Sequence, residues 1–263
     1  MRNAGIGQII GVAVGVCGVC SIVVSTTAVL LKPQQELNKE NDRKKYVLAA
    51  AGIIENAKKA PRDSAGLREL FGQIDTRLIN VDTGEVVEED GDAALSFDVA
   101  KAAKEGPTSR TLDPKIDKAK IRRMSTVQRV YLKKDAQENI ERFILPIYGK
   151  GLWGPMYGFL ALDADGETIE HLSYYDHIET PGLGGEVDSK DFKQAWPGLV
   201  AYNEAGQPQI DVTKGQIPKD NDHEVASLSG ATITSNGVEA MVNFWLSDNG
   251  YGKFIKKHKK PAA

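Results

Sequence analysis

Between Leu228 and Val238 the chain reads Leu-Ser-Gly-Ala-Thr-Ile-Thr-Ser-Asn-Gly-Val. Four hydroxyls, on Ser229, Thr232, Thr234 and Ser235, stand among small residues that would let a ligand approach the backbone closely. After Ser235 the apolar residues Val238, Met241, Val242, Trp245 and Leu246 fall at i, i+3, i+4, i+7 and i+8, which predicts an amphipathic helix. A helix start offers free N–H groups and the positive end of the helix dipole. The chemistry this allows is the binding of an anion, phosphate above all. The same hydroxyls also suit a plain helix cap with no ligand, and spacing alone leaves both readings open.

Two other stretches have the composition of a ligand site. In His177-Ile178-Glu179-Thr180-Pro181-Gly182-Leu183-Gly184, Pro181-Gly182 fits the central pair of a type II turn, with glycine supplying the positive φ. Such a turn would present backbone amides and Leu183 to a ligand, or it is an ordinary surface turn. In Tyr148-Gly149-Lys150-Gly151-Leu152-Trp153-Gly154, glycines surround an aromatic. Trp153 would then form a pocket wall or be buried under a glycine-rich hairpin loop.

Other chemistries lack their residues. The only cysteines, Cys17 and Cys20, lie in the apolar N-terminal run, so the remaining chain has no disulfide framework, thiolate zinc site or cysteine nucleophile. No Gly-x-Ser-x-Gly elbow or Ser-x-x-Lys pair accompanies the hydroxyls, which counts against a hydrolase. His177 has no second ligand at a spacing useful for a metal. A net charge of -3 and a pI near 5.9 do not suit a nucleic-acid partner. No residue is assigned a catalytic role and no metal site is expected.

The elements that would position these residues can be read in outline. Ile9 to Leu31 carries no charge and is long enough to cross a bilayer core of roughly 30 Å. The run continues apolar through Val29-Leu30-Leu31, beyond its only small-residue cluster, which favours an anchor over a cleaved signal peptide. We expect residues 1–8 as a short cytoplasmic N-terminus, 9–31 as a transmembrane helix, 32–45 as a charged juxtamembrane stalk or helix extension, and 46–263 as a soluble domain. Arg2 before the span is outnumbered by Lys32, Lys39, Arg43, Lys44 and Lys45 after it, so charge alone leaves the orientation undecided. Leu67, Leu70, Phe71 and Ile74 follow helical spacing after a cap at Asp63 or Ser64. Leu78 to Val81 reads as a strand entering the turn Asp82-Thr83-Gly84, and residues 88–125 as an irregular or partly helical insertion. Hairpins are expected from Val127–Leu132 with Phe143–Tyr148, and from Tyr157–Leu162 with Thr168–Tyr174. The basic run Lys256 to Lys260 reads as a solvated tail. Helices, then hairpins, then a helix predict an α+β fold, an antiparallel sheet with flanking helices behind a single N-terminal anchor.

Ser229-Gly230-Ala231-Thr232-Ile233-Thr234 resembles the flavinylation motif of the FMN-binding domain family, and His177 to Gly184 resembles that family's flavin-side loop. The resemblance implies FMN held covalently, by a phosphoester between its phosphate and the Thr234 oxygen, made by a separate flavin transferase that uses FAD. It implies a flavin-binding region over about 126–250. Ser229, Gly230, Ala231 and Thr232 would shape the phosphate loop. Glu179, Thr180, Gly182, Leu183 and Gly184 would line the ring, with Trp153 a further contact. Within this family the anchor and the long insertion resemble the C subunits of Na⁺-translocating NADH:quinone oxidoreductases. That implies an electron carrier among the other subunits of a bacterial inner-membrane complex, with NADH and ubiquinone handled elsewhere and the soluble domain in the periplasm, against the literal charge count. The alternatives are the G subunit of the related Rnf ferredoxin-linked complex and a non-redox anchored structural subunit.

Overall fold

A computed structural model of the chain describes residues 5–215 and 221–260. Residues 1–4 of the expected N-terminal segment and the last three of the expected soluble domain lie outside them. By contacts the chain divides into a unit up to Arg43 and a larger one from Lys44.

Helix α1 spans Ile6–Ala50, so the apolar run and the charged stretch after it form one continuous helix. Pro33 lies inside it and removes one ladder hydrogen bond, while the flanking Leu, Gln, Glu and Lys residues are good helix formers. The large apolar side chains from Ile6 to Leu31 are exposed along it. That surface calls for an apolar solvent, and by length and composition the helix can cross a membrane. The other end is different in kind. Val47, Leu48, Ala49 and Ala50 are buried within the larger unit.

That unit begins with α2, Ser64–Phe71, capped by the Asp63 carboxylate accepting from Gly66 N–H at 2.7 Å. Ile74 does not continue the helix; it opens strand β1, Ile74–Asn80, because Gly72 ends α2 first. Gly84, at φ +73°, turns the chain into β2, Glu85–Glu88. The insertion holds two short Asp-capped helices, α3 (Gly91–Ser96) and α4 (Val99–Lys104), and a small pair, β3 (Ser109–Thr111) and β4 (Arg123–Ser125). Arg129 donates to the carbonyls of Ala94, Leu95 and Phe97 and so fastens the end of α3 to the sheet.

The expected hairpins are β5 (Val127–Lys134) with β6 (Ile140–Lys150), and β7 (Pro155–Asp163) with β8 (Ile169–Asp176). The six long strands run in the order β2-β1-β5-β6-β7-β8 with every neighbour antiparallel. There follow α5 (Lys190–Gln194), the parallel pair β9 (Asp211–Thr213) and β10 (Glu224–Ala226), α6 (Thr232–Leu246) and α7 (Gly252–His258). One face of the sheet packs Leu132, Phe143, Leu145 and Leu160 with Val238, Met241 and Trp245 of α6 and Phe254 of α7. The other packs Tyr131, Ile144, Phe159 and Ala161 with the buried end of α1 and with Leu67 and Phe71 of α2. The α+β fold and its antiparallel sheet are thus as the sequence predicts.

The basic C-terminal run is not a free tail. Phe254 and Ile255 among the lysines are buried, so the segment folds as α7. Lys256 pairs with Asp248 at 2.8 Å, Lys257 with Glu85, and Lys259 with Glu167 at 2.5 Å.

Strand β6 aims one of the candidate loops. It pairs with β5 through Ile144 and then runs on to Lys150, beyond its partner. On that open side the Tyr251 hydroxyl donates to Pro146 O and the Trp245 indole donates to Tyr148 O, both at 2.7 Å. Lys150 N–H donates to Ala119 O at 2.9 Å. Buried backbone groups that would otherwise lack partners are satisfied, and Gly151 to Gly154 leave the strand at a fixed place.

Candidate functional site

Helix α6 starts at Thr232, three residues before Ser235, so Thr232, Thr234 and Ser235 lie in its first turn. The plain-cap reading does not match this arrangement. The cap position is Ala231, with no side-chain bond. Ser235 Oγ instead accepts from Leu228 N–H at 3.0 Å, folding the Ser229–Gly230 loop back over the helix start. Gly230 makes that turn at φ +70°. Thr234 donates its hydroxyl to Glu179 Oε2 at 2.5 Å, and only 1% of Thr234 is exposed. The first-turn N–H groups of Thr232, Ile233 and Thr234 have no acceptor within the helix, as helix geometry dictates.

The second segment supplies the carboxylate. Leu183 N–H bonds Thr180 O at 3.1 Å, closing a turn with Pro181 second and Gly182 third at φ +76°, the geometry expected from the sequence. His177 Nδ1 accepts from Glu179 N–H at 3.3 Å and its Nε2 faces Asp188 at 2.9 Å. This bonding assigns the ring proton to Nε2. Glu179 is 5% exposed and is fixed between the two other segments. Its Oε1 accepts from Trp153 N–H at 3.0 Å, and Trp153 Nε1–H donates to Thr180 Oγ1 at 3.0 Å.

All three candidate stretches therefore meet at Glu179. Glycines make the meeting possible. A Cβ on Gly184 would stand 2.6 Å from both Glu179 Oε2 and Thr234 Oγ1, and one on Gly151 would stand 2.5 Å from Glu179 Oε1. A Cβ on Gly237 of α6 would meet Lys150 O at 2.5 Å, so α6 lies directly against the end of β6.

Above the buried pair the surface is apolar and exposed. Trp153 is 63% exposed, with Leu183, Ile178 and Ile233 also open to solvent. Leu183 lies over Gly230, and Ile178 over Gly154. Thr180, Gly182, Ser229 and Gly230 are exposed on the same rim. Of the residues read as ring contacts, Glu179 and Gly184 stand at the hydroxyl end, while Trp153 and Leu183 stand on the open side. Ile178 and Ile233 were not singled out from the sequence. Their signal was an isolated apolar residue inside an otherwise polar or small motif.

Buried hydroxyl, free helix N–H groups and an exposed apolar rim define a domain suited to a phosphorylated, flat ligand. Residues 151–247, which contain all of these groups, match the FMN-binding domain family. The chain is 42% identical over 259 residues to the C subunit of the Na⁺-translocating NADH-quinone reductase of Vibrio parahaemolyticus, covering 97% of this chain and 96% of that one. It is 41% identical to the C subunit of the same reductase from Yersinia pestis, covering 99% and 96%. The crystal structure of Shewanella oneidensis NqrC superposes with a TM-score of 0.75 at 31% identity, over 84% of this chain and 98% of that one. The chain belongs to the family of C subunits of Na⁺-translocating NADH-quinone reductases.

The residues fit FMN at both ends. The first turn of α6 offers N–H groups and a hydroxyl to a phosphate, and the Trp153–Leu183 rim offers apolar surface to an isoalloxazine ring.

Proposed function

We propose that the chain is the flavin-carrying electron-transfer subunit of a Na⁺-translocating NADH:ubiquinone oxidoreductase, with FMN joined through its phosphate to Thr234. The observation that carries this reading is the Thr234 hydroxyl, held in the first turn of α6 inside the FMN-binding match and spent on no backbone group of its own helix. The bound flavin supplies the redox chemistry by accepting and donating single electrons. The protein supplies position and electrostatics. Thr234 is the attachment point. The N–H groups of Thr232, Ile233 and Thr234 and the dipole of α6 stabilise the phosphate charge. Ser229, Gly230, Ala231 and Thr232 shape the loop around it, Trp153, Thr180, Gly182 and Leu183 border the ring, and Glu179 and Gly184 close the hydroxyl end.

The partners are the other subunits of a multi-subunit redox complex, a flavin transferase during maturation, and inner-membrane lipid around residues 9–31. The exposed apolar length of α1 supports a single pass, and the family resemblance supports a periplasmic domain. The test is intact mass and in-gel flavin fluorescence of denatured protein co-expressed with a flavin transferase. Wild type should gain the mass of one FMN less water and fluoresce, and Thr234→Ala should do neither. An unmodified wild type, beside a known substrate that the same transferase does label, would reject the reading.

A further inference from the structure

We infer that Glu179 accepts the proton of Thr234 when the flavin is attached, an inference that rests on the covalent reading above. Glu179 Oε2 is 2.5 Å from the Thr234 oxygen, and both residues are buried. The other carboxylate oxygen is held by Trp153 N–H, so Oε2 is the one aimed at the hydroxyl. Gly151 and Gly184 wall the carboxylate so closely that it has little freedom to turn away.

The step balances with one co-reactant, a flavin adenine dinucleotide presented by the transferase. The Thr234 oxygen bonds to the phosphorus on the riboflavin side, the pyrophosphate P–O bond breaks, and adenosine monophosphate leaves. The hydroxyl proton passes to Glu179 Oε2. No electron changes hands. A hydroxyl 1% exposed has little access to water as a base, whereas this carboxylate already accepts its hydrogen bond.

The product strengthens the assignment. Before attachment the Thr234 oxygen donates to Glu179; afterwards it is an ester oxygen and can only accept. An ionised Glu179 would then oppose both that oxygen and the phosphodiester charge. Once it carries the proton, Glu179 keeps the contact, as donor, in the loaded protein. The titratable groups around it are His177, Glu186 and Asp188 on its own segment and Lys150 at the end of β6. The first turn of α6 brings no charge. Among the described residues none of these groups is ion-paired to Glu179.

The experiment follows FMN incorporation into the full-length chain in detergent by intact mass, with transferase and FAD, for wild type and Glu179→Gln at pH 8. At pH 8 Glu179→Gln should load at least about a hundredfold more slowly, the lower end of the general-base range. Equal rates at pH 8 would overturn the role of Glu179 while leaving covalent attachment intact. A wild type that never loads would overturn the underlying reading instead. If the variant does not fold, wild type alone decides: the infrared difference spectrum of loaded minus unloaded protein must contain a protonated carboxyl band, and its absence overturns the inference.

Discussion

Gly184 has no room for a side chain, because its Cβ would enter the space between Glu179 Oε2 and the Thr234 oxygen. Gly184→Ala should therefore separate the pair and leave two buried polar groups without partners, at a cost of about 1–3 kcal/mol for each group stranded. Urea unfolding should show the loss. Flavin loading should fall by at least about tenfold, the factor that corresponds to 1.4 kcal/mol. At this scale the sequence was informative about which stretches matter and silent about how they join. Thr234, Pro181-Gly182 and Trp153 were legible because hydroxyls before a helix, a turn pair and an aromatic among glycines are local signals. The bond between Glu179 and Thr234 joins residues 55 apart, and no local pattern encodes it. Trp153 was open between wall and core; the structure leaves the ring exposed and ties both its N–H groups to the Glu179–Thr180 pair.

At the scale of elements, β6 and the C-terminal helices depend on each other. The last residues of β6 lie beyond β5, and Tyr251 and Trp245 take over the carbonyls that a neighbouring strand would have bonded. Tyr251→Phe removes one hydroxyl and strands Pro146 O. We expect a loss of about 1–3 kcal/mol in urea unfolding with little change in the native circular dichroism. The hairpins were legible because alternation and turn residues are strong signals. Helix starts and stops were less so. The start of α6 was placed late because Thr232 and Thr234 look like cap residues, whereas the Thr234 hydroxyl bonds Glu179 of a distant segment. Helix α7 was missed because two buried side chains, Phe254 and Ile255, are outnumbered by lysines.

At the scale of the whole molecule, side chains in register link five of the six strands of the sheet. One cross-strand row runs Thr76, Tyr131, Ile144, Ala161, His171. Burial pushes the His171 pKa down to about 4, with smaller contributions from the positive charges of Lys193 and Arg142. The folded value lies below the unfolded value of about 6.5, so this contribution to stability is complete above pH 6.5 and is lost as the pH falls toward 4. The full loss is up to about 3 kcal/mol. His171→Leu should flatten that part of the profile; urea midpoints of both proteins at pH 7, 5 and 4 would show it. The α+β class and the long apolar N-terminal helix were legible at this scale because composition and element order decide them. The covering of both sheet faces was not, because it depends on which helix meets which face.

Helix α7 also sets an order in time. A ribosome makes α1 first and α7 last. Gly84 abuts Lys253 and Gly166 abuts Ile255, so turns made early fit against residues made at the end. Until residues 245–255 have emerged, Pro146 and Tyr148 lack their partners and the face of the sheet that supports α6 is open. The N-terminal helix is thus complete while the packing around Thr234 is still open. Biosynthesis separates the two, and the buried bond between Thr234 and Glu179 belongs to the finished chain.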